Sequence, residues 1–288
     1  MWLRLNGAAF ERQRREVQGV KALQGGMPDW IREIFTSTML SWGKAPSLCR
    51  RNHMTYKEGL VCFIDLLGTK DVRKFATKHA LHTAWHTQAH QVEERERLYS
   101  GRTLSRKVYS FSDCAYFTYV FKDEIQPERR KPERLFEAMT TFLPPVQVIM
   151  DLGFLVRGGI SYGKVFVDNL GLFGPAAEES YILESTIANY PRIIIKEELG
   201  KKLFKLEVNQ EKRLISKDTD GAYYINPFYR IGKNNRFRGR SFDGEEFFEK
   251  LKEKYSEIMR KKDAKIKVKW GWLNSKMEAE LRRRNEES

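Results

Sequence analysis

The segment LVCFIDLLG, residues 60–68, constrains the fold of this chain more than any other stretch. Its apolar run is continuous rather than alternating, which is typical of a strand that is buried on both faces. Gly68 closes the run, and a polar, helical pattern without glycine or proline follows from Lys70 to about Leu98. A buried strand that leads into a long helix indicates a mixed α/β architecture.

A hairpin is predicted within VYSFSDCAYFTYVF, residues 108–121. Strand-like residues near 106–112 and 114–121 flank Asp113 closely enough for a tight turn. A buried, unpaired carboxylate is costly, so such a residue is usually solvated in the turn, paired, or bound to a metal. Turn chemistry alone accounts for a single aspartate. A functional role for Asp113 therefore requires further evidence from elsewhere in the sequence.

The remaining pattern predicts an α/β (α+β) fold with a ferredoxin-like core and an added hairpin. A helix opens at Pro132 and runs towards Met150, with Pro144-Pro145 inside it. The later segments are a strand over 154–167 with a close backbone approach at Gly158 and Gly159, a helix over 176–190, a strand over 191–196 and strand-like pieces over 213–230.

Three regions are predicted along the 288 residues. Residues 1–55 are basic and helical in pattern, and we expect an N-terminal extension there. Residues 56–235 carry the alternating elements of the main domain. Residues 236–288 contain two charged helices, which we expect to form a C-terminal appendage with solvated polar faces.

The charge, the missing motifs and the cysteine spacing exclude some classes of protein, but they do not identify the function. The net charge of +14 suits a polyanionic partner, whether nucleic acid, a nucleoside triphosphate or an acidic membrane surface. Zinc-finger spacing, a GKS/GKT phosphate loop and a ribonucleoprotein motif are all missing from the sequence. No apolar run approaches the roughly 20 residues of a membrane-spanning helix, and the N-terminus lacks a signal-peptide pattern. The three cysteines show no metal-type spacing, so we expect them to be reduced in the cytoplasm.

Two carboxylates stand at the ends of predicted strands, Asp65 after the apolar run and Asp113 in the hairpin. If the first strand pairs beside the hairpin, both side chains converge at one edge of the sheet. They then repel one another unless a divalent cation lies between them, and Mg²⁺ commonly combines one or two carboxylates with phosphate oxygens and water. Gly68 permits a tight turn whose N–H groups could contact a phosphate. Two unrelated turn aspartates are the alternative.

An ordered set of motifs carries a family resemblance over roughly residues 58–197. FIDLLGTK resembles the first metal motif of class III nucleotide cyclases, F-x-D-x-x-G-F, and SFSD resembles the second. RGGISYGKVF resembles their R-x-G-I-x-x-G-x-V strand, and GPAAEESYILE their G-x-x-V-N-x-A-x-R-L-E helix. The run of FSD, RGGI, LES and YPRI is closer still to the pyrimidine nucleotide cyclases of bacterial antiphage Pycsar systems.

The resemblance implies a palm-like cyclase fold, a head-to-tail homodimer and two Mg²⁺ or Mn²⁺ ions per active site. It also implies conversion of UTP or CTP to the 3′,5′-cyclic nucleotide and pyrophosphate, with the product read by a separate effector protein in antiphage defence. The metal ligands would be Asp65, Ile64 and Asp113. Substrate contacts would come from Tyr109, Leu66, Leu67, Gly68 and Thr69.

The chain departs from the family pattern at several positions. Glu178 and Ile182 stand where many class III enzymes have the catalytic Asn and Arg, and Thr69 replaces the common Phe. Arg157 and Arg192 are therefore the candidates for stabilising transition-state charge, and a catalytically silent cyclase domain is the alternative.

Two further departures concern the base. Tyr109 stands in place of the base-selecting Lys, and Gly171 precedes Gly174 where an acidic partner is expected. Together with the resemblance to the Pycsar cyclases, these changes favour a pyrimidine, with UTP ahead of CTP. A tyrosine that simply packs in the core is the alternative reading of Tyr109.

Two other interpretations stay open. A palm-type nucleic-acid-binding or polymerase-like protein would use the same two metals, although the lack of an aromatic stacking series argues against a nucleic-acid partner. A dimerisation module without activity is the other. One histidine face on the helix after Gly68 could hold zinc or could be an ordinary polar surface; it comprises His79, His82, His86 and His90.

Overall fold

A computed structural model describes residues 55–69, 72–98, 104–121, 131–207, 213–231, 235–237, 240–242 and 244–286. These residues belong to one compact unit, Thr55–Ser288. The helical extension predicted over residues 1–55 lies outside the described residues, apart from Thr55. No helix in the described ranges is both long enough and apolar enough to cross a membrane.

Six elements form the core of the fold. In chain order they are β1 Lys57–Leu67, α1 Phe75–Leu98, β2 Leu104–Phe111, β3 Cys114–Phe121, α2 Lys131–Asp151 and β4 Leu155–Val167. Strand β1 lies between β3 and β4 and is antiparallel to both, and β2 pairs antiparallel with β3. The spatial order β2-β3-β1-β4 with two crossover helices is the ferredoxin-like arrangement that the sequence predicts. The hairpin about Asp113 is confirmed as well.

The sheet continues beyond β4 through shorter elements. They are β5 Leu172–Phe173, α3 Pro175–Ile182, β6 Ile193–Ile195, α4 Glu197–Leu206, β7 Ile215–Lys217 and β8 Tyr223–Ile225. Strand β6 pairs parallel with β4, β8 pairs antiparallel with β6, and β7 forms the far edge. The remaining elements are the two-stranded β9 Asn235–Phe237 and β10 Arg240–Phe242, and the helices α5 Gly244–Met259 and α6 Ala264–Glu286.

Strand β1 is buried on both faces, as its continuous apolar run predicts. Leu60 and Ile64 pack into the main core with Phe142 of α2. Val61, one residue out of phase, faces a second cluster that includes Ala176 of α3. Since successive side chains of a strand point to opposite faces, a strand covered on both sides must be apolar throughout.

The helix predicted over 176–190 is shorter as an α-helix than its pattern suggests. Helix α3 ends at Ile182, and a π-helical turn spans Leu183–Ile187. This region packs directly on Gly159, where an added Cβ would lie 2.1 Å from the carbonyl oxygen of Ser180 and 2.7 Å from Cβ of Leu183. The predicted close backbone approach is therefore real, and the widened turn is where the helix meets the strand.

Helices α5 and α6 confirm the two charged helices predicted at the C-terminal end, but they do not stand apart from the domain. Phe247 and Leu251 of α5, with Trp270 and Leu273 of α6, belong to the same core cluster as the central sheet. Each helix buries one apolar stripe and exposes its charged face. The packing of the described residues therefore shows no boundary at residue 236.

Candidate functional site

The structure brings Asp65 and Asp113 to the same end of the sheet. Asp65 pairs in register with Cys114, the residue that follows Asp113. The main-chain N–H of Leu66 donates a 3.0 Å hydrogen bond to the carbonyl oxygen of Asp113, so the hairpin turn is attached to the end of β1. Both carboxylates line one cavity of about 810 Å³. The convergence follows from β1 pairing beside the hairpin.

The turn that carries Asp113 is held in a defined conformation. Ser112 has a φ of 55°, the left-handed region that non-glycine residues seldom adopt. Thr69, which is buried, donates a 2.7 Å hydrogen bond from Oγ1 to Oδ2 of Asp113. One carboxylate oxygen of Asp113 is therefore positioned by a residue from the loop after β1.

Arg157 of β4 is shared by two carboxylates. It is the cross-strand neighbour of Asp65, and its Nε and Nη2 atoms donate hydrogen bonds of 3.2 and 3.0 Å to Oδ2 of Asp65. Its Nε also lies 2.6 Å from Oε1 of Glu184, a buried residue of the π-helical turn. The widened turn thus has a local consequence, because it places a second acid against Arg157.

Burial and the positive charge of Arg157 have opposite effects on the pKa values of Asp65 and Glu184. Burial raises the pKa of Asp65 above its ordinary value, Arg157 lowers it, and the nearby negative charge of Asp113 raises it again. Burial likewise raises the pKa of Glu184, against the opposing effect of Arg157. A cation between Asp65 and Asp113 would relieve their repulsion.

The donor set fits hard divalent ions. Two carboxylates converge on one cavity, and oxygen ligands of this kind suit Mg²⁺ and Mn²⁺. Across the described residues no group of three His, Cys, Asp or Glu side chains is placed to hold a metal. Further ligands would therefore be main-chain oxygens, water or phosphate. The side chain of Ile64 is a hydrocarbon and has no ligand atom, so only its main-chain carbonyl oxygen could serve.

The end of β1 and the loop that follows it line part of the cavity. Leu66, Leu67, Gly68 and Thr69 all line it, as the predicted substrate contacts require. Gly68 has a φ of 88°, and an added Cβ there would have no atom within 4 Å. The glycine is therefore needed for its left-handed backbone, which turns the chain over the cavity, rather than for space.

Four lysines of the C-terminal region also line this cavity, from α5, from α6 and from the turn between them. They are Lys254, Lys261, Lys265 and Lys269, together named the lysine wall. Burial and the positive charge of Arg157 lower the pKa of Lys269, and the carboxylate of Asp65 opposes them. Sequence reasoning assigned this segment to a solvated helix face. The four-residue spacing of Lys265 and Lys269 was the available signal that these two lysines share a helical face.

Arg192, a predicted catalytic residue, is not brought to the cavity. Its side chain is 1% exposed, and its Nη1 donates a 2.6 Å hydrogen bond to Oδ2 of Asp218. Nη2 contacts Asp220, and Asp218 also accepts hydrogen bonds from Trp272 and Lys276 of α6. Acids from the turn between β7 and β8 thus neutralise Arg192 in the core, where it connects the sheet to α6.

Tyr109, the predicted base contact, is not among the residues that line the cavity. Its hydroxyl donates a hydrogen bond to the main-chain carbonyl of Asp168. Burial raises the pKa of Tyr109 to about 12, so its hydroxyl is neutral at physiological pH. Its cross-strand neighbour Tyr116 lines a second cavity, of about 420 Å³, together with Glu178 and Ile182.

The histidine face on α1 has other contacts. His79 stacks on Phe75, and the rings of His82 and His86 lie 4.5 Å apart. Nε2 of His86 lies 2.7 Å from Oγ of Ser110, within hydrogen-bonding distance. The side chain of His90 lies outside the described part of the structure. The contacts of the described histidines give no support to the hypothesis of a zinc site on this helix.

Comparisons with known proteins give structural matches only. No protein-family model matches the chain, and no curated protein matches it. The guanylyl cyclase domain of the RhoGC fusion protein from the aquatic fungus Blastocladiella emersonii is 15% identical, with a TM-score of 0.38 over 59% of this chain and 95% of that one. A bacterial light-regulated adenylyl cyclase is 14% identical, with a TM-score of 0.37 over 62% and 94%. These values assign neither a family nor an activity, so the functional argument rests on the site.

Proposed function

We propose that this chain is a nucleotide cyclase, which converts a nucleoside triphosphate into a 3′,5′-cyclic nucleotide and pyrophosphate. The observation that carries the proposal is the convergence of Asp65 and Asp113 on a cavity that four lysines also line. Carboxylates suit divalent ions and lysines suit phosphates, so the cavity offers groups for both parts of a metal–triphosphate substrate. The ordered class III motifs over roughly residues 58–197 add to this support.

In the proposed reaction the ribose 3′-oxygen attacks the α-phosphorus in line. The new O–P bond forms as the bond from the α-phosphorus to the bridging oxygen breaks, and pyrophosphate leaves with that electron pair. The hydroxyl proton passes to solvent. Positioning and charge stabilisation dominate phosphoryl-type transfer, so little covalent chemistry is required of the protein.

Two divalent ions would supply the acidification of the 3′-hydroxyl and the stabilisation of charge on the phosphate oxygens. Asp65 and Asp113 would hold them, with the main-chain carbonyl of Ile64 as a further ligand. Thr69 orients Asp113 through its hydrogen bond. Arg157, which lines the same cavity, is the proposed group for charge that develops at the phosphorus. Arg192 is not proposed, because Asp218 and Asp220 neutralise it in the core.

The substrate base and the biological role are finer proposals. Tyr109 in place of a base-selecting Lys, and Gly171 in place of an acidic partner, favour a pyrimidine nucleotide, with UTP ahead of CTP. The resemblance to Pycsar cyclases supports a cytoplasmic enzyme whose product is a second messenger in antiphage defence, read by a separate effector. A nucleic-acid partner is not expected.

A homodimer is part of the same proposal. Glu178 and Ile182, which stand at the family's catalytic Asn and Arg positions, line the second cavity rather than the carboxylate cavity. Phe173, Tyr181 and Ile182 expose more than half of their surface there, at 57%, 51% and 53%. A two-fold partner would cover these apolar side chains and create two equivalent sites. Light scattering that reports a monomer with full specific activity would contradict the homodimer.

The deciding experiment offers each of the four nucleoside triphosphates to the purified chain with Mg²⁺ or Mn²⁺. Mass spectrometry of the products should show cyclic UMP or cyclic CMP, with one pyrophosphate released per cyclic nucleotide. A polynucleotide product would favour the polymerase-like interpretation. The absence of any product with all four substrates and both metals would favour a silent cyclase-like module.

A further inference from the structure

We propose that the lysine wall binds the phosphate chain of the substrate and the pyrophosphate product. The ligand class is a linear polyphosphate, and Lys265 and Lys269 are the principal contacts. The inference deepens the proposed cyclase function and rests on it for the identity of the substrate. The polyphosphate site itself can be tested without turnover.

The position of these lysines relative to the carboxylates is the first support. Lys265 and Lys269 lie one turn apart near the start of α6, so their side chains share a face. Both line the cavity that Asp65 and Asp113 also line. A triphosphate whose α-phosphate lies near the carboxylates would extend its β- and γ-phosphates across this cavity.

The charge balance of the cavity is the second support. Its basic lining residues are the lysine wall and Arg157, and its acidic ones are Asp65, Asp113 and Asp263, so the basic side chains outnumber the acidic ones. Lys254 and Lys261 form ion pairs of 2.7 and 2.9 Å with Glu257. In the ranges that the structure describes, no ion pair joins Lys265 or Lys269 to a carboxylate. These two ammonium groups are the ones that a polyanion would satisfy.

The anchoring of α6 is the third support. Nε1 of Trp272 and Nζ of Lys276 donate hydrogen bonds of 2.9 and 2.7 Å to the carboxylate of Asp218. Trp270 and Leu273 are buried in the core. At the start of the helix, Oδ1 of Asp263 accepts the main-chain N–H of Lys265 at 2.9 Å. The helix that presents the lysines is therefore fixed to the sheet, which lowers the cost of ordering a site.

The proposed reaction is favoured by positive charge beside the leaving group. As the bond to the α-phosphorus breaks, negative charge accumulates on the departing pyrophosphate. A lysine acts as a point charge towards phosphate, and its effect is largest where the site is preorganised. The lysine wall would hold the triphosphate before reaction and stabilise the leaving group during it.

The experiment measures binding of inorganic triphosphate and pyrophosphate by calorimetry, without nucleoside and without turnover. The test variant is Lys265→Gln/Lys269→Gln. The matched control is Lys262→Gln/Lys267→Gln, which removes the same charge from neighbouring positions that do not line the cavity. We expect the test variant to bind at least about tenfold more weakly than the wild type, and the control to change by less than about threefold.

Three outcomes would overturn the inference: unchanged binding in the test variant, equal losses in both variants, or no binding by the wild type. Circular dichroism checks that both variants fold, and Lys269→Arg, which keeps the charge, should retain most of the affinity. If the wild type binds triphosphate through these lysines but forms no cyclic nucleotide, the cyclase proposal fails and the polyphosphate site stands. The two proposals are therefore separable.

Discussion

Thr69 holds Asp113 across the end of the sheet, through a 2.7 Å hydrogen bond from Oγ1 to Oδ2. The two residues come from different loops, one after β1 and one between β2 and β3. At the position of Thr69 the class III motif commonly has Phe, which cannot donate such a bond. The threonine therefore gives this chain a different means of positioning its second carboxylate.

Replacing Thr69 tests this positioning role. Thr69→Val removes the hydroxyl at nearly constant volume, so Asp113 keeps its charge but loses its orientation. We expect metal affinity or turnover to fall about 10- to 100-fold, the usual effect of losing a hydrogen bond to a metal ligand. Thr69→Ser should restore most of it. Equal Mn²⁺ affinity of the wild type and Thr69→Val, measured by calorimetry, would show that Thr69 does not position Asp113 for metal binding.

The metal proposal is tested at both carboxylates. Asp65→Asn and Asp113→Asn should each abolish turnover and weaken Mn²⁺ binding, because a neutral amide is a poorer ligand of similar size. Asp151→Asn, which removes a carboxylate that pairs with Lys250 outside the cavity, is the control. Circular dichroism should show all three variants folded. Full activity in both cavity variants would exclude the two-metal mechanism.

Arg192 should contribute to stability rather than to catalysis. Arg192→Met leaves the acids around it without their buried partner, and we expect the free energy of unfolding in urea to fall by about 3–5 kcal/mol. Lys250→Met, which breaks exposed ion pairs with Glu246 and Asp151, should cost less than about 1 kcal/mol. If Arg192→Met is as stable as the wild type but has lost turnover, the prediction is wrong and Arg192 has a catalytic role.

The network around Asp218 predicts a pH dependence of stability. Burial opposes ionisation of Asp218, but its hydrogen bonds from Lys276, Thr219 and Trp272 win and lower its pKa to about 2. Because the folded pKa lies below the unfolded value of about 3.8, this stabilisation is full above pH 4 and is lost as the pH falls towards 2. Urea unfolding between pH 2 and 5 should show a loss of about 2 kcal/mol that Asp218→Asn lacks. Parallel curves for the two proteins would contradict it.

Tyr109 tests the base assignment. Tyr109→Ala should lose synthesis of cyclic UMP or cyclic CMP by a larger factor than it loses stability, because we propose that its ring contacts the small base. Tyr109→Phe keeps the ring and removes only the hydroxyl that donates to Asp168. Product formation by both variants is compared with their thermal midpoints. A wild type that converts ATP or GTP faster than either pyrimidine triphosphate would refute the assignment.

The local elements of this fold were predictable from the sequence because local rules govern them. The apolar run of β1 indicates burial on both faces, and the Ser112-Asp113 turn between two strand-like runs indicates a hairpin. From the order of these elements the ferredoxin-like core follows, and with it the convergence of Asp65 and Asp113 at one edge. The paired glycines likewise predicted a close backbone approach, and Gly159 does lie close to the carbonyl oxygen of Ser180.

Only the tertiary structure decided which distant side chains share a cavity. Arg192 directly precedes β6 and Arg157 lies within β4, yet Asp218 and Asp220 neutralise the first in the core while the second lies beside Asp65. The lysines of α6 have an ordinary surface pattern, and two of them line the same cavity as the carboxylates because Trp270 and Leu273 pack that helix against the sheet. Charge pattern shows which side chains are ionised. Which residues these side chains contact depends on how apolar surfaces from distant segments pack together. The hydrophobic effect is non-directional, so this packing is determined by the whole domain and not by a local sequence pattern.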